Sequence, residues 1–340
     1  MDMMFVEDCC EILDSMRVPI TAADREEGEY PYYGANGIQD HVADYIFDDE
    51  LVLLAEDGGN FGSKERPIAY RVSGKCWVNN HAHVLKPKAG LDVDYLCYSL
   101  MFYKVDGMVN GATRQKLTQA AMRKMQIPSR PLEEQLHIVD ELNRIVKIKE
   151  QRQQELQLLD DLIKARFVEL FGDPIINTKG LETSALKDIL VLKAGDFTAA
   201  SDISDEQTEN NPYPCYGGNG ISGYVAEYNQ EGEYSLVGRQ GALSGNVQFA
   251  CGKFKNTEHA LLVTPIVEMN NIWLNQLLLN LDLKRYQTGE AQPGLSVKNL
   301  QEIPIIMVPI DEQNRFAEFV KQTDKSKFGT QLCNIAYLIF

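Results

Sequence analysis

Three glycines have a spacing that could bind a nucleotide, but the residues around them favour a turn. Gly218, Gly220 and Gly223 match the G-x-G-x-x-G pattern. A phosphate-binding loop of this type should follow a strand and open a helix. Here the pattern lies between Tyr-Pro-Cys-Tyr and Tyr-Val-Ala-Glu-Tyr, both with β character. We therefore interpret these glycines as part of a turn between two strands.

Other residues that could support chemistry are equally isolated. Residues 282–284 (Asp-Leu-Lys) lack the upstream acid of a magnesium-dependent nuclease, and residues 211–213 (Asn-Pro-Tyr) lack the second proline of the Asn-Pro-Pro-Tyr motif of adenine methyltransferases. His81 and His83 could place two metal ligands on one strand face, although a structural histidine is the commoner explanation. No Gly-Lys-Ser/Thr loop supports ATP binding. The sequence predicts no catalytic, metal or cofactor site in this chain.

The cysteines and the N-terminus indicate the cellular setting. Seven cysteines are scattered without a C-x-x-C pair, which favours a reducing environment over disulfides or zinc. The first ten residues carry acids where a signal peptide needs bases, and no apolar run reaches the roughly 18 residues of a membrane span. We expect a cytoplasmic protein with no membrane partner.

The strongest pattern is an internal repeat. Residues 30–38 (Tyr-Pro-Tyr-Tyr-Gly-Ala-Asn-Gly-Ile) return at 213–221 as Tyr-Pro-Cys-Tyr-Gly-Gly-Asn-Gly-Ile. His81 then matches His259 in the same order along the chain. These matches predict a tandem duplication of one domain.

Each copy has the texture of a β-rich domain with short helices. Leu51–Leu54 and Tyr234–Val237 are apolar or β-prone runs bounded by glycines, which is typical of buried strands. Residues 91–103 and 271–285 have helical spacing. We expect one such helix in each copy.

A long helix is predicted between the two copies, over residues 131–171. It begins with Pro-Leu-Glu-Glu, and residues 132–171 contain no Gly or Pro. About 40 residues at 1.5 Å each give a rod of roughly 60 Å, too long for an ordinary core helix. Its 4,3 apolar spacing predicts a partner helix. The apolar residues of this spacing are Ile138, Leu142, Ile145, Leu156, Leu159, Ile163 and Leu170.

The charge is distributed unevenly. With 33 basic and 49 acidic residues the net charge is −16, which by itself argues against nucleic acid as a partner. However, residues 1–63 hold 16 acids and 2 bases, whereas residues 64–130 hold 4 acids and 12 bases. The second copy is polarised in the same direction. Local basic loops could therefore bind DNA despite the total.

Taken together, these elements resemble the specificity subunit of type I restriction–modification systems. The resemblance covers about residues 4–327. It is carried by Tyr-Pro-x-Tyr-Gly-x-Asn-Gly-Ile at 30–38 and 213–221, Gly-x5-Leu at 111–117 and 289–295, Ile-Pro followed by Pro-Leu/Ile-x-Glu-Gln at 127–135 and 303–313, and the helix end Arg-Phe-Val-Glu-Leu-Phe-Gly-Asp-Pro at 166–174.

The resemblance implies an α+β fold. Two tandemly repeated β-rich α/β target-recognition domains would be separated by a long coiled-coil-type helix, with a second helix truncated. The implied divisions are residues 1–130 for the first target-recognition domain, 131–172 for the spacer helix, 173–182 for a linker, 183–309 for the second target-recognition domain, and 310–340 for the start of a second spacer helix with a truncated or aberrant tail.

The resemblance also implies a function. Each domain would read one half of a bipartite site in double-stranded DNA, and the helix would set the spacing and dock methyltransferase subunits through the apolar residues above. The assembled complex would be an adenine-specific methyltransferase and ATP-dependent endonuclease. Its methyltransferase and restriction subunits would use S-adenosylmethionine, ATP and Mg, whereas this chain would be non-catalytic and bind no cofactor.

Base reading requires Arg, Lys, Asn or Gln on loops. The candidates in the first copy are Asn36, Gln39, Lys64, Arg66, Arg71, Lys75, Arg114 and Lys116. Those in the second copy are Asn219, Arg239, Gln240, Lys253, Lys255 and Lys298. For Asn36, Gln39 and Asn219, on the Gly-rich loops, a role in making turns is slightly favoured.

The C-terminal end departs from the family pattern. Residues 329–340 are apolar and aromatic, unlike an exposed helix, which predicts a truncated or frame-shifted end or a hydrophobic docking tail. The first helix would then lack its partner within the chain. Two alternatives stay open: an inactive truncated subunit, and a non-DNA scaffold with two β-rich binding modules on a helical rod, which the acidic charge favours.

Overall fold

The computed structural model describes residues 2–111, 114–241, 243–289 and 294–336, with side chains up to Lys327 in the last range. The chain divides into two compact units, Met1–Ile148 and Lys149–Phe340. This division lies inside the long helix, whereas the divisions expected from the sequence lie at either end of it. No helix of the described residues combines the length and apolar composition needed to cross a membrane.

The first unit contains a six-stranded sheet with one parallel pair. The elements in chain order are β1 (Met3–Phe5), α1 (Val6–Cys9), β2 (Cys10–Ile12), β3 (Glu27–Gly34), β4 (Gly37–Val42), β5 (Phe47–Ala55), β6 (Ala69–Val78), β7 (Ala82–Pro87), α2 (Val93–Met101), β8 (Val109–Asn110), β9 (Lys116–Leu117), α3 (Gln119–Arg123) and β10 (Gln126–Pro128). The strand order is β2-β7-β5-β6-β3-β4, with β3 parallel to β6 and the other neighbours antiparallel. Separate ribbons pair β1 with β10 and β8 with β9.

The second unit repeats this topology. Its elements are α4 (Leu132–Phe171, which begins in the first unit), β11 (Thr183–Ala185), α5 (Leu186–Ile189), β12 (Leu190–Ala194), β13 (Tyr213–Gly217), β14 (Gly220–Val225), β15 (Gln230–Gly238), β16 (Val247–Asn256), β17 (Ala260–Pro265), α6 (Asn271–Asn280), α7 (Val297–Leu300), β18 (Pro304–Ile306) and α8 (Ile310–Ala336). The sheet order β12-β17-β15-β16-β13-β14 is that of the first unit, strand for strand. The β13–β14 hairpin contains the three glycines that mimic a nucleotide loop. The predictions of a duplicated α+β domain, of these strands and of a turn are confirmed. Each copy has its predicted helix, but the one expected over residues 271–285 ends at Asn280.

The central strand β5 is apolar throughout because both of its faces are covered. Val52 and Leu54 belong to the core that packs on α2, whereas Leu51 and Leu53 belong to a separate core on the opposite face. All four are fully buried. Burying one such side chain contributes about 1.5–3 kcal/mol. A strand covered on two faces reads as a continuous apolar run rather than an alternation.

The repeated Glu-Gln motif has a structural role at the start of each long helix. Gln135 Oε1 accepts from the Asp92 backbone N–H (2.8 Å), and Nε2 donates to the carbonyls of Gly90 (2.9 Å) and Arg130 (2.8 Å). Gln313 in α8 bonds the Asn270 N–H (2.9 Å) and the Val308 carbonyl (2.8 Å) in the same way. Because both glutamines are almost fully buried, they join the long helix of each unit to the start of α2 or α6.

The C-terminal half of α4 has a partner helix within its own unit. The Phe316 ring of α8 lies 5.5 Å from that of Phe167 and 5.6 Å from that of Phe171. Further along α8, Lys327 Nζ lies 2.6 Å from Asp160 Oδ1. Advancing along α8 therefore means moving backwards along α4, which is antiparallel packing. The expectation that α4 would lack a partner within the chain is not met in this unit.

The end of α8 differs from the sequence expectation. The sequence indicated that residues from Gly329 onwards are unlike an exposed helix, and the backbone stays helical through Ala336. A single glycine costs a helix only about 1 kcal/mol relative to alanine, and no proline follows it. The aromatic and apolar character noted at 337–340 lies outside the described residues.

Candidate nucleic-acid interface

Four loops of the first unit meet beyond the end of β5. Asn36 Nδ2, in the β3–β4 turn, donates to the Gly58 carbonyl (3.0 Å). The Glu56 N–H donates to the His81 carbonyl (2.8 Å), and the Leu117 N–H donates to the Glu56 carbonyl (2.7 Å). We call residues 35–36, 56–58, 79–81 and 114–117 the first loop junction. It unites three of the motifs that the sequence analysis singled out.

An exposed arginine is held in place at the first loop junction. Arg114 Nη2 donates to Asp57 Oδ1 at 2.9 Å, and His81 Nδ1 lies 2.6 Å from the same oxygen. The Arg114 side chain is 60% exposed, whereas that of Asp57 is 18% exposed. A Cβ on Gly58 would lie 3.2 Å from Arg114 Nε, so the glycine lets the guanidinium approach the backbone. The arginine is thus oriented and accessible.

Beneath this junction lies a buried network of charged side chains. Arg17 Nη1 lies 2.6 Å from Glu56 Oε2, and Lys116 Nζ lies 2.9 Å from Glu56 Oε1. His83 Nδ1 lies 2.6 Å from Asp14 Oδ2. Asp14, Glu56 and His83 are close enough to share a metal ion. However, two cationic side chains already neutralise Glu56, and this favours an ion network over a metal centre.

His83 joins the network to the loop that carries Arg114. Its Nε2 donates to the Leu117 carbonyl (2.9 Å), while Nδ1 faces the Asp14 carboxylate. Both partners offer oxygen acceptors to the ring. Asp14 also accepts from the Val84 N–H and from Gln119 Nε2, each at 2.9 Å. Sequence reasoning missed this network, and its only local signal was the His-Ala-His segment.

The network lowers the pKa values of its carboxyl groups. Burial alone would raise the pKa of Asp14, but the hydrogen bond and charge of His83, with those from Val84 and Gln119, hold it below its ordinary value. Burial likewise opposes ionisation of Glu56, and Arg17 and Lys116 outweigh it, so that this pKa is also lowered. Both groups are therefore ionised at neutral pH.

The second unit has an equivalent junction with different side chains. The Arg239 N–H donates to the His259 carbonyl (2.9 Å), and the Leu295 N–H donates to the Arg239 carbonyl (2.8 Å). His259 Nδ1 lies 3.1 Å from Gln240 Oε1. Nearby, Asn219 Oδ1 accepts from Asn246 Nδ2 (3.2 Å). We call residues 218–219, 238–240, 257–259 and 294–295 the second loop junction; residues 290–293 of its Gly-x5-Leu element lie outside the described residues.

The backbone contacts align the two junctions residue by residue. Glu56 and Arg239 each accept from the leucine that ends the Gly-x5-Leu element, and each donates to the matched histidine. Asp57 therefore corresponds to Gln240. The framework is the same, but at this position the first unit presents a carboxylate and the second an amide.

The structure brings some of the predicted DNA-contact residues to the junctions. Asn36, Arg114 and Lys116 lie at the first, and Gln39 Oε1 adjoins it by accepting from Asn79 Nδ2 (3.0 Å). Asn219, Arg239 and Gln240 lie at the second, with both Arg239 and Gln240 exposed.

The remaining candidates lie elsewhere. Lys75 and Lys253 occupy matched places near the starts of β5 and β15, over the rings of Tyr45 (4.5 Å) and Tyr228 (4.7 Å). Arg71 is paired with Glu50 and Asp94. The others are Lys64 and Arg66, exposed in the β5–β6 loop, Lys255, half-buried 3.7 Å from Asp196, and Lys298, exposed on α7.

The predicted docking residues of α4 fall into three groups by exposure. Ile163 is 2% exposed in the core of the second unit, and Ile138 packs against the core of the first. Ile145 and Leu170 are 38% and 37% exposed. The remaining three, Leu142, Leu156 and Leu159, are half-buried.

Comparison with known proteins agrees with this duplicated architecture. The family model of the type I restriction modification DNA specificity domain matches residues 1–158 and again residues 178–332. The chain belongs to this family. Each matched range contains one loop junction, and the resemblance inferred from the motifs is confirmed. The family is described by specificity for DNA rather than by a catalytic activity.

Relatives in the specificity family match part of the chain. It is 41% identical over 139 residues to the type I restriction enzyme EcoprrI specificity subunit of Escherichia coli, covering 41% of this chain and 35% of the relative. It is 36% identical over 143 residues to a putative type I specificity subunit of Haemophilus influenzae, covering 42% and 37%. The matched stretches thus span little more than a third of the length of these curated relatives.

Solved structures from type I restriction–modification systems share the fold over nearly the whole chain. The S subunit of a type I restriction–modification system from M. genitalium aligns with a TM-score of 0.60 at 15% identity, covering 99% of this chain and 93% of that one. A chain from a type I system studied for complex assembly and conformational transition aligns with a TM-score of 0.52 at 14% identity, with the same coverage. At such identities the likeness concerns the fold alone.

Proposed function

We propose that this chain is the DNA-specificity subunit of a type I restriction–modification complex. Each unit would read one half of a bipartite site through its loop junction. The observation that carries the proposal is the pair of junctions, built on the same strand order but with different polar side chains. A repeated framework with varied side chains is what reading two different half-sites requires.

The described contacts support a division of labour within each unit. Side chains held at a junction, such as Arg114 and Gln240, have the donors and acceptors that base edges require. Lys64 and Arg66 are exposed in a loop and would bind phosphates, which adds affinity without sequence information. The acidic front of each copy would face partner proteins rather than DNA.

The long helix would set the half-site spacing and dock methyltransferase subunits. Leu158 and Leu162 lie one helical turn apart and are 67% and 47% exposed. Together with Leu170, they leave apolar side chains of α4 accessible within the second unit. Exposed apolar surface of this kind supports a protein partner.

Chemistry would belong to the other subunits of the complex. Methyltransferase subunits would use S-adenosylmethionine to methylate adenine, and restriction subunits would use ATP and Mg to cleave DNA. This chain would bind double-stranded DNA and these subunits, without a cofactor of its own, in the cytoplasm. Its role would be to direct their activities to one sequence.

The test is a methylome. The chain and its methyltransferase partner are expressed in a host without other type I systems, and genomic DNA is sequenced for methyl-adenine. We expect one bipartite motif, which disappears when this chain is omitted. A complex that assembles but yields no motif contradicts the proposal and favours a non-DNA scaffold or an inactive subunit.

A further inference from the structure

At one matched position the first junction has Asp57, which orients Arg114, and the second junction has Gln240; this difference should decide which base each junction prefers. We propose that Arg114, oriented by Asp57 and His81, reads a guanine in one half-site, and that Gln240, oriented by His259, reads an adenine in the other. This inference rests on the proposed function and deepens it. It names the specificity residues, their positioning partners and the class of base each takes.

Arg114 has the chemistry to read guanine. A guanidinium only donates hydrogen bonds, and guanine presents two acceptors, O6 and N7, side by side in the major groove. The contact with Asp57 uses Nη2, and among the described residues Nη1 has no hydrogen-bond partner. With 60% of its side chain exposed, Arg114 can reach a ligand without leaving Asp57.

Asp57 and His81 are positioning residues. The Asp57 carboxylate is mostly buried and is itself held by the His81 ring at 2.6 Å. Arg114 Nη2 also lies 3.4 Å from His81 Nδ1, so the guanidinium rests against both side chains. An arginine oriented before binding loses less conformational freedom on contact with a base. That makes its contact more selective than that of an unrestrained surface arginine.

The second unit presents an amide in the place of the carboxylate. A glutamine side chain both donates and accepts, which matches the N6 donor and N7 acceptor of adenine. His259 Nδ1 approaches Gln240 Oε1 at 3.1 Å, which orients the amide with Nε2 directed away from the ring. Matched histidines thus orient different side chains in the two units. The base preference follows from the side chain that each histidine holds.

The experiment measures methylation by the assembled complex on a duplex pool. Each position of the wild-type motif is replaced in turn by the other bases. The variants are Arg114→Lys, which keeps the charge but not the bidentate fork; Asp57→Asn, which removes only the charge that orients Arg114; and Gln240→Ala. Arg66→Ala serves as the control because Arg66 is an exposed basic residue of the same unit that is not among the residues of the junction.

We expect each variant to relax one position. Arg114→Lys and Asp57→Asn should reduce discrimination roughly 10- to 100-fold at the same guanine, with the other positions intact. Gln240→Ala should reduce discrimination by a similar factor at one adenine in the opposite half-site. Arg66→Ala should lower methylation of all sequences evenly. Thermal unfolding of each variant checks that its unit is folded, and Arg114→Lys, at an exposed position, retains the test if Asp57→Asn unfolds.

Several outcomes would overturn the inference. An unchanged motif for Arg114→Lys means that the Asp57 pair is only a surface ion pair. An even loss over all sequences means a phosphate contact. Relaxation at a base other than guanine or adenine, or in the same half-site for Arg114 and Gln240, contradicts the assignment. In each of these cases the wild-type complex still methylates its bipartite motif, so the proposed function stands. If the wild-type complex methylates no motif, both the proposed function and this inference are overturned.

Discussion

At the scale of single residues, the most consequential feature is the buried network beneath the first loop junction. It joins Asp14 to His83 across 69 positions of sequence and connects both to the segment that carries Arg114. In the second unit the position of Glu56 is taken by exposed Arg239. The two junctions thus share their backbone hydrogen bonds, but Glu56, which belongs to the buried charge network of the first, is replaced in the second by an exposed arginine.

Replacing Asp14 by alanine should destabilise the first unit. The change removes the buried acceptor of His83 Nδ1, the Val84 N–H and Gln119 Nε2 and leaves Arg17, among the described carboxylates, with Glu56 alone. Breaking a buried, hydrogen-bonded network in this way costs about 3–5 kcal/mol. Urea denaturation of the full chain measures it. Arg144→Ala is the control, because Arg144 forms an exposed pair with Asp140 and should cost less than about 1 kcal/mol. Equal losses of unfolding free energy in the two variants would mean that the buried network stabilises the unit no more than an exposed ion pair does.

The lowered pKa values of Asp14 and Glu56 also predict a direction of pH dependence. Each folded-state pKa is below its ordinary value of 3.8 or 4.5, so the stabilisation is fully present above those values. It is lost as pH falls through the lower folded-state pKa, because the unfolded chain then binds more protons. Denaturation of wild type and Asp14→Asn over acidic pH should show a shallower slope in the variant. An identical slope would mean that Asp14 is not the titrating group.

At the scale of elements, the pairing of α4 with α8 determines how the second unit is built. Phe167 and Phe171 of α4 both pack against Phe316 of α8. The same two rings also pack against fully buried Trp273 of α6. The apolar spacing of α4 therefore has an intramolecular explanation at its C-terminal end. Its exposed leucines, by contrast, have none within the unit.

Phe316→Ala should destabilise the second unit by about 3–5 kcal/mol, since it leaves a cavity among packed rings. Leu158→Ala is the matched control on the partner helix; its side chain is 67% exposed, so stability should change by less than about 0.5 kcal/mol. Chemical denaturation compares the two. A similar small effect of Phe316→Ala would show that α8 does not pack on α4 in solution.

At the scale of the whole molecule, charge decides how DNA would be bound. A net charge of −16 opposes binding, and most basic residues of each copy lie in its later part. Some of these basic side chains already form ion pairs within the fold, among them Arg71 with Glu50 and Lys116 with Glu56. If the chain is a specificity subunit, its affinity for DNA depends on its partners.

We therefore expect the isolated chain to bind a duplex with its motif only weakly, in the micromolar range typical of non-specific contacts. Adding methyltransferase subunits should tighten binding on the order of a hundredfold or more. Fluorescence anisotropy at fixed salt measures both, with a scrambled duplex as control. Nanomolar, sequence-specific binding by the chain alone would show that its charge pattern does not limit affinity.

The sequence by itself determined the duplication, the β-rich texture of each copy and the long helix. These follow from local rules: glycine and asparagine make turns, apolar periodicity selects strand or helix, and a run without Gly or Pro stays helical. Residues 30–38 and 213–221 form equivalent hairpins because the same turn chemistry recurs. The family could be recognised from the order of such motifs.

Only the tertiary structure decided which side chains act together. Asp57, His81 and Arg114 come from three separate loops, and Arg71 proved to be paired with acids from a strand and a helix. Gln135 and Gln313 looked like part of a helix start, but they are buried hydrogen-bonding centres. Contacts of this kind depend on strand order and register, which bring distant residues together and leave no local pattern in the chain.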